Sequence, residues 1–214
     1  MRFTGRMLAT EFIPAADAGS KRLLIGLHGL GDSSAGYRWL PVALRMPWLN
    51  CLLVNAPDPY YGGYAWYDFS GNEAKGIERS RRELIELLDA QRTRGFPTEE
   101  TVMFGFSQGC VMTVDVGFRY PHRFAGLVGV SGYVHQLEKL IEEHSAVAGR
   151  QRMLFTHGRM DPLVPFDQVR GQVERLQAAK FPIVWREFDK EHTLCEEELQ
   201  VIQQFIEESF SGGL

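Results

Sequence analysis

Cysteine is scarce: Cys51, Cys110 and Cys195 are the only three in 214 residues. An odd number without metal-type spacing gives neither a disulfide framework nor a zinc site, and a reducing compartment suits such a chain. No Cys/His or carboxylate cluster calls for a metal or an organic cofactor. No segment approaches the ~20 apolar residues of a membrane helix, which argues against stable membrane insertion. The stretch MRFTGRMLATEFIPAADAG carries charge near its start but lacks the apolar centre of a signal peptide, so a cytoplasmic protein is expected. Positive charge is not in excess either. The net charge is −4, and the arginines between Glu78 and Arg82 alternate with glutamates as on a solvated helix face, so nucleic acid is not an expected partner. Internal repeats, low-complexity tracts and linkers are also missing. With 44% hydrophobic residues, the chain has material for one substantial core, and residues 1–214 are expected to form a single domain.

What is present is a rhythm of short apolar runs separated by amphipathic segments. The runs that read as strands are Arg22 to Leu27, Cys51 to Asn55, Thr101 to Phe106, Phe124 to Val130, Met153 to Thr156 and Ile183 to Phe188. Asn72 to Arg92 is the strongest helix, with Ile77, Leu84, Ile85, Leu87 and Leu88 near a 3.6-residue period, and Gly95 and Pro97 end it. Gln108 to Arg119, Asp167 to Ala179 and Glu196 to Glu208 read as further helices. Alternation of this kind predicts an α/β domain with a mainly parallel central sheet and helices on both faces. The longest irregular stretch is Ala56 to Gly71, rich in Tyr, Trp, Gly and Pro. It follows a strand, where loops line the crevice of open α/β sheets.

Three strand ends carry chemistry. The first is GFSQG, with Ser107 between Gly105 and Gly109. The pattern G-x-S-x-G is cheap by itself, at roughly 0.1 chance occurrences in a chain of this composition. Its context is what matters, because a strand stops at the serine and a helix starts beside it. Such a turn exposes the hydroxyl, and the Gln108 N–H at the positive end of the helix dipole points to where an oxyanion would form. The second is Leu27-His28-Gly29-Leu30-Gly31-Asp32. A dinucleotide loop is excluded here, since the third glycine of G-x-G-x-x-G would fall on Ser34 and no acidic residue ends the second strand. In an esterase the Leu30 N–H of such a loop is the second oxyanion donor. The third combines THGRMDP, holding Asp161, with the EHT that places His192 between the last strand and the last helix.

Ser107, Asp161 and His192 follow the serine, acid, histidine order of hydrolases of this architecture. His28 and His157 precede glycines and are expected to shape their loops; Asp189 rivals Asp161 only by closeness in sequence to His192. Together, LHGLGDSS, AWYDF, GFSQGC, THGRMDPLVP and EHTLCEEEL resemble the phospholipase/carboxylesterase family of small α/β-hydrolases, which includes bacterial carboxylesterases and acyl-protein thioesterases. The resemblance implies the α/β-hydrolase fold, with Ser107 as nucleophile, His192 as general base and acid, Asp161 as its orienting carboxylate, and Leu30 and Gln108 as oxyanion donors. It further implies that Trp66 and Leu163 border the acyl site, and that the substrate is a small-molecule ester, thioester or lysophospholipid, with no metal or cofactor; because 214 residues with short connections leave little material for a large lid, an open site for short to medium acyl chains is expected. Cys110 and the EHTLC lead into the histidine loop depart from the family's usual pattern. A homodimer is compatible with the chain but specified by no pattern. A non-catalytic binding protein on the same scaffold is the competing class, since fold alone does not establish turnover.

Overall fold

The computed structural model describes residues 7–211, so the first part of the amino-terminal stretch read above lies outside it. Its strands are β1 (Thr10–Ile13), β2 (Leu23–Leu27), β3 (Asn50–Val54), β4 (Asp58–Tyr60), β5 (Gly63–Ala65), β6 (Thr101–Phe106), β7 (Gly126–Val130), β8 (Met153–Gly158) and β9 (Ile183–Phe188). The helices are α1 (Trp39–Leu44), α2 (Glu73–Thr93), α3 (Gln108–Arg119), α4 (Leu137–Glu142), α5 (Phe166–Ala178) and α6 (Glu196–Ser211). Seven strands form one sheet in the order β1-β3-β2-β6-β7-β8-β9. All neighbours run parallel except the β1–β3 pair. No helix among the described residues is long and apolar enough to cross a membrane.

The inner strands are largely apolar because both of their faces are covered. Alternation across the pleat sorts their side chains into two cores. Leu23, Ile25, Leu27, Met103 and Leu127 pack with α2, α3 and α5 on one side. Leu24, Val102, Phe104, Val128 and Leu154 pack with Leu40 of α1 and Ile202, Phe205 and Ile206 of α6 on the other. Helix α2 buries Ile77, Leu84 and Leu88 as its period demands. It ends in a Schellman turn, with Phe96 N–H on Gln91 O (3.0 Å) and Gly95 N–H on Arg92 O (3.0 Å), and Gly95 supplies the positive φ of 91°.

Several elements differ from the expectation. The stretch Ala56 to Gly71 is not wholly irregular, because β4 and β5 form an antiparallel hairpin within it. Tyr61 (φ 41°) and Gly62 (φ 90°) make its two-residue turn, both in the left-handed region as a type I′ turn requires. Three-residue strands are too short to display alternation, and Tyr61 is not a residue that advertises positive φ. Edge strand β1 and short helices α1 and α4 are likewise below the length at which periodicity is visible.

The chain leaves β2 toward β3 on one side, then crosses back through α2 to β6 on the other. Adjacent strands whose connections depart in opposite directions leave a crevice at their carboxyl ends. Leu27 pairs with Gly105 at that end, so the loop from His28 and the turn at Ser107 face each other across it.

Candidate active site

Between β6 and α3 a single residue makes the turn. Ser107 holds φ 54° and ψ −117°, an unusual conformation for a residue with a side chain. Its N–H donates to Val130 O (2.9 Å), which ties the turn to the end of β7. The flanking glycines allow the close approach of helix to sheet. A Cβ on Gly105 would stand 2.1 Å from Gly109 O, and one on Gly109 would stand 2.2 Å from Leu27 O.

The loops after β8 and β9 bring two further groups to this turn. His192 Nε2 lies 2.9 Å from Ser107 Oγ, and His192 Nδ1 lies 2.7 Å from Asp161 Oδ2. The second carboxylate oxygen accepts the N–H groups of Leu163 and Val164, each at 2.9 Å. Burial alone would raise the Asp161 pKa, but the hydrogen bonds from Val164, His192 and Leu163 outweigh it and hold the carboxyl below its ordinary range. An ionised Asp161 accepting from Nδ1–H leaves Nε2 as an acceptor facing the serine hydroxyl. Asp189 takes no part: its side chain is 79% exposed and pairs with Arg159 at 2.6 Å.

On the opposite wall, the N–H groups of Leu30 and Gln108 have no acceptor among the described residues, and both residues line the same cavity as Ser107. Their loops are tightly braced. His28 Nε2 accepts the Ala56 N–H (3.0 Å), so Nδ1 carries the proton and donates to Gly29 O (2.6 Å); burial lowers the pKa of this ring and keeps it neutral. The Gln108 side chain accepts from Trp66 N–H and donates to Tyr67 O, both at 2.9 Å. Trp66 Nε1–H then donates to His28 O (2.9 Å). His157 lies within β8 rather than in a loop, and its Nε2, 3.0 Å from Val164 O, braces the loop that follows.

The cavity has a volume of about 620 Å³. Trp39, Tyr67, Phe69, Phe106, Tyr133 and Leu163 are among the residues that line it, around Ser107 and His192. Leu163 lines this cavity, 70% exposed at its rim. Trp66 does not stand where expected. It is 0% exposed and does not line the cavity, because its indole is consumed in bracing the His28 carbonyl from behind. Its neighbour Tyr67 reaches the cavity instead, with its hydroxyl 3.1 Å from that of Tyr133. Tyr133 and Trp39 escape a reading confined to sequence motifs. Tyr133 was within reach of the rule that ligands gather at carboxyl ends of strands, since it sits three residues past β7.

A half-buried serine turn, an imidazole between it and a carboxylate, and two N–H groups beside one cavity form a set suited to acyl transfer. The phospholipase/carboxylesterase family model matches residues 8–210. Acyl-protein thioesterase 1 of Schizosaccharomyces pombe is 33% identical over 155 residues, 66% of this chain and 69% of that protein. Acyl-protein thioesterase 1 of Yarrowia lipolytica is 29% identical over 216 residues, 91% of this chain and 94% of its own. Among solved structures, esterase PE8 matches with a TM-score of 0.82 at 25% identity, over 95% of this chain and 99% of that one. The Bacillus cereus carboxylesterase matches with a TM-score of 0.80 at 19% identity, over 95% of each chain, a likeness of fold. The architecture is the α/β-hydrolase fold.

Proposed function

The chain belongs to the phospholipase/carboxylesterase family of serine hydrolases, and on that premise we propose that it cleaves carboxylic esters or thioesters of short to medium acyl chain through Ser107, His192 and Asp161. The observation that carries this reading is the hydrogen-bonded row Ser107, His192, Asp161 at 2.9 and 2.7 Å, open to an apolar cavity. In this mechanism Ser107 Oγ attacks the substrate carbonyl as His192 Nε2 takes its proton. The negative oxygen of the tetrahedral intermediate accepts the Leu30 and Gln108 N–H groups, a donor of this kind being worth about 3 kcal/mol. Asp161 favours the imidazolium, which protonates the departing alcohol or thiol. Water then attacks the acyl-enzyme along the same route.

The aromatic wall and Leu163 favour an apolar acyl group over a charged one. The same reading takes residues 1–214 as one domain working without metal or cofactor in the cytoplasm, with a homodimer to be sought by light scattering. The deciding experiment is labelling with a fluorophosphonate, followed by peptide mass spectrometry, beside Ser107→Ala and His192→Ala. One adduct at Ser107, lost in the first variant and strongly slowed in the second, supports the reading. No adduct, or an adduct elsewhere, overturns it in favour of a binding protein. Ester and thioester series of increasing chain length then rank the acyl preference.

A further inference from the structure

The loop that carries His192, residues 189–195, is held from beneath by a buried lysine. Lys190 is 4% exposed, and its ammonium reaches oxygens of the residue after β7, of its own loop and of α6. Lys190 Nζ donates to Ser131 Oγ (3.0 Å) and to Thr193 O (2.6 Å), and it lies 2.8 Å from Glu198 Oε2 in the first turn of α6. Two of the three N–H groups of the ammonium are thus in hydrogen bonds, and the third contact is an ion pair with a carboxylate whose oxygens have no other partner among the described residues. Glu198 is itself 0% exposed, and its carboxylate sits near the positive end of α6.

A buried ion pair is a poor way to gain stability, because desolvation consumes much of the Coulomb attraction and an apolar pair of similar volume often does as well. Its geometry has another use here. Ser131 follows Val130, whose carbonyl accepts the Ser107 N–H. Thr193 follows His192. The ammonium therefore bridges the strand end that anchors the nucleophile turn to the peptide next to the imidazole. This second bridge runs beneath the catalytic row and touches none of the reacting atoms. Ser131 adopts a positive φ of 50° to present its hydroxyl there, and the Lys190 carbonyl accepts the Met160 N–H (3.2 Å), tying the same loop to the Asp161 segment.

We propose that Lys190, with Glu198 as its counter-charge, is a positioning residue that sets the distance and angle between His192 and Ser107. The inference rests on the triad reading above. Removing Lys190 alone would strand Glu198 as an unpaired buried charge, so the informative variant is the double replacement Lys190→Met/Glu198→Met in the full chain. It keeps side-chain volume and removes all three tethers. Wild type and Ser107→Ala are assayed beside it on a short-chain p-nitrophenyl ester, with thermal unfolding of each. The expected result is a kcat lowered about 10- to 100-fold, the size of effect a sub-ångström to ångström misplacement produces, beside no more than the modest fall in melting temperature that the orphaned Ser131 and Thr193 oxygens cause. KM should stay within about twofold, since the substrate wall is untouched. A double variant as fast as wild type overturns the proposal. So does one whose kcat, KM and melting temperature all change together, since that marks a merely structural pair. An inactive wild type would instead sink the hydrolase reading, a result distinct from both.

Discussion

Ser107 Oγ and His192 Nε2 lie 2.9 Å apart although 85 residues separate them in the chain. The contact exists because β6, β7, β8 and β9 are consecutive neighbours in a parallel sheet, so every loop after a strand emerges at the same edge. Asp161 leaves β8, between the serine and histidine strands, and is the carboxylate the imidazole meets.

Ser107 occupies φ 54°, ψ −117° at a turn that tolerates almost no side chain. Ser107→Gly is expected to abolish hydrolysis while stabilising the fold by about 1 kcal/mol, the relieved backbone strain exceeding the added chain entropy of glycine. Urea denaturation of both proteins checks this. A destabilised glycine variant would show that the turn is unstrained.

Gly109 touches the carbonyl end of β2 so closely that a methyl group there would stand 2.2 Å from Leu27 O. Gly109→Ala should therefore push α3 off the sheet, costing about 3 kcal/mol or more, since backbone atoms on both sides leave nothing to yield. Activity is expected to fall with it, because Gln108 moves with the helix. Near-wild-type stability in chemical denaturation would contradict this packing.

Trp66 and Leu163 should behave oppositely. Trp66→Phe deletes the donor to the buried His28 carbonyl (2.9 Å), and the orphaned acceptor should cost about 1–3 kcal/mol of stability. kcat should drop as the loop of Leu30 loosens. Leu163→Ala, at the exposed rim, should leave stability within about 0.5 kcal/mol while raising KM for the longer acyl chains. Melting curves and a chain-length series separate the two. Equal effects on KM from both would return Trp66 to the substrate wall.

Burial lowers the pKa values of His28, His135 and His157. Each is neutral in the fold and takes up a proton more readily when unfolded, so stability is full above the unfolded value of about 6.5 and declines as pH falls below it. Asp161, depressed in the fold, adds a second loss only below about pH 4, as its carboxylate protonates. The denaturation midpoint measured from pH 8 to pH 3 should therefore fall in two stages. A flat midpoint between pH 7 and pH 5 would mean that the rings take up protons equally in the folded and unfolded protein, so that burial does not lower their pKa values.

Much of the molecule is legible from local chemistry. Buried parallel strands must be largely apolar, so β2, β3, β6, β7 and β8 announce themselves within a residue or two of their ends, as do edge strand β9 through its apolar start and α2 through its period and Gly95. The turn at Ser107 is equally local: strand, serine and helix are contiguous, and the clash that excludes a Cβ at 105 is with Gly109 of the same junction, whereas the one at 109 is with Leu27 at the end of β2. The order of serine, acid and histidine along the chain is enough to nominate all three.

Which side chain faces the cavity is a different matter, because it depends on neighbours far away in sequence. Residues 65–69 are aromatic-rich, yet only packing against α3 and the His28 carbonyl turns Trp66 inward and leaves Tyr67 at the wall. Asp161 rather than Asp189 meets His192 because sheet order puts β8 beside β9 with its loop beneath the imidazole, while Asp189 has Arg159 and solvent. Lys190 carries no motif at all. Its burial is decided by Ser131 and Glu198, 59 residues before it and on the following helix, and only the folded chain brings their oxygens within reach of one ammonium.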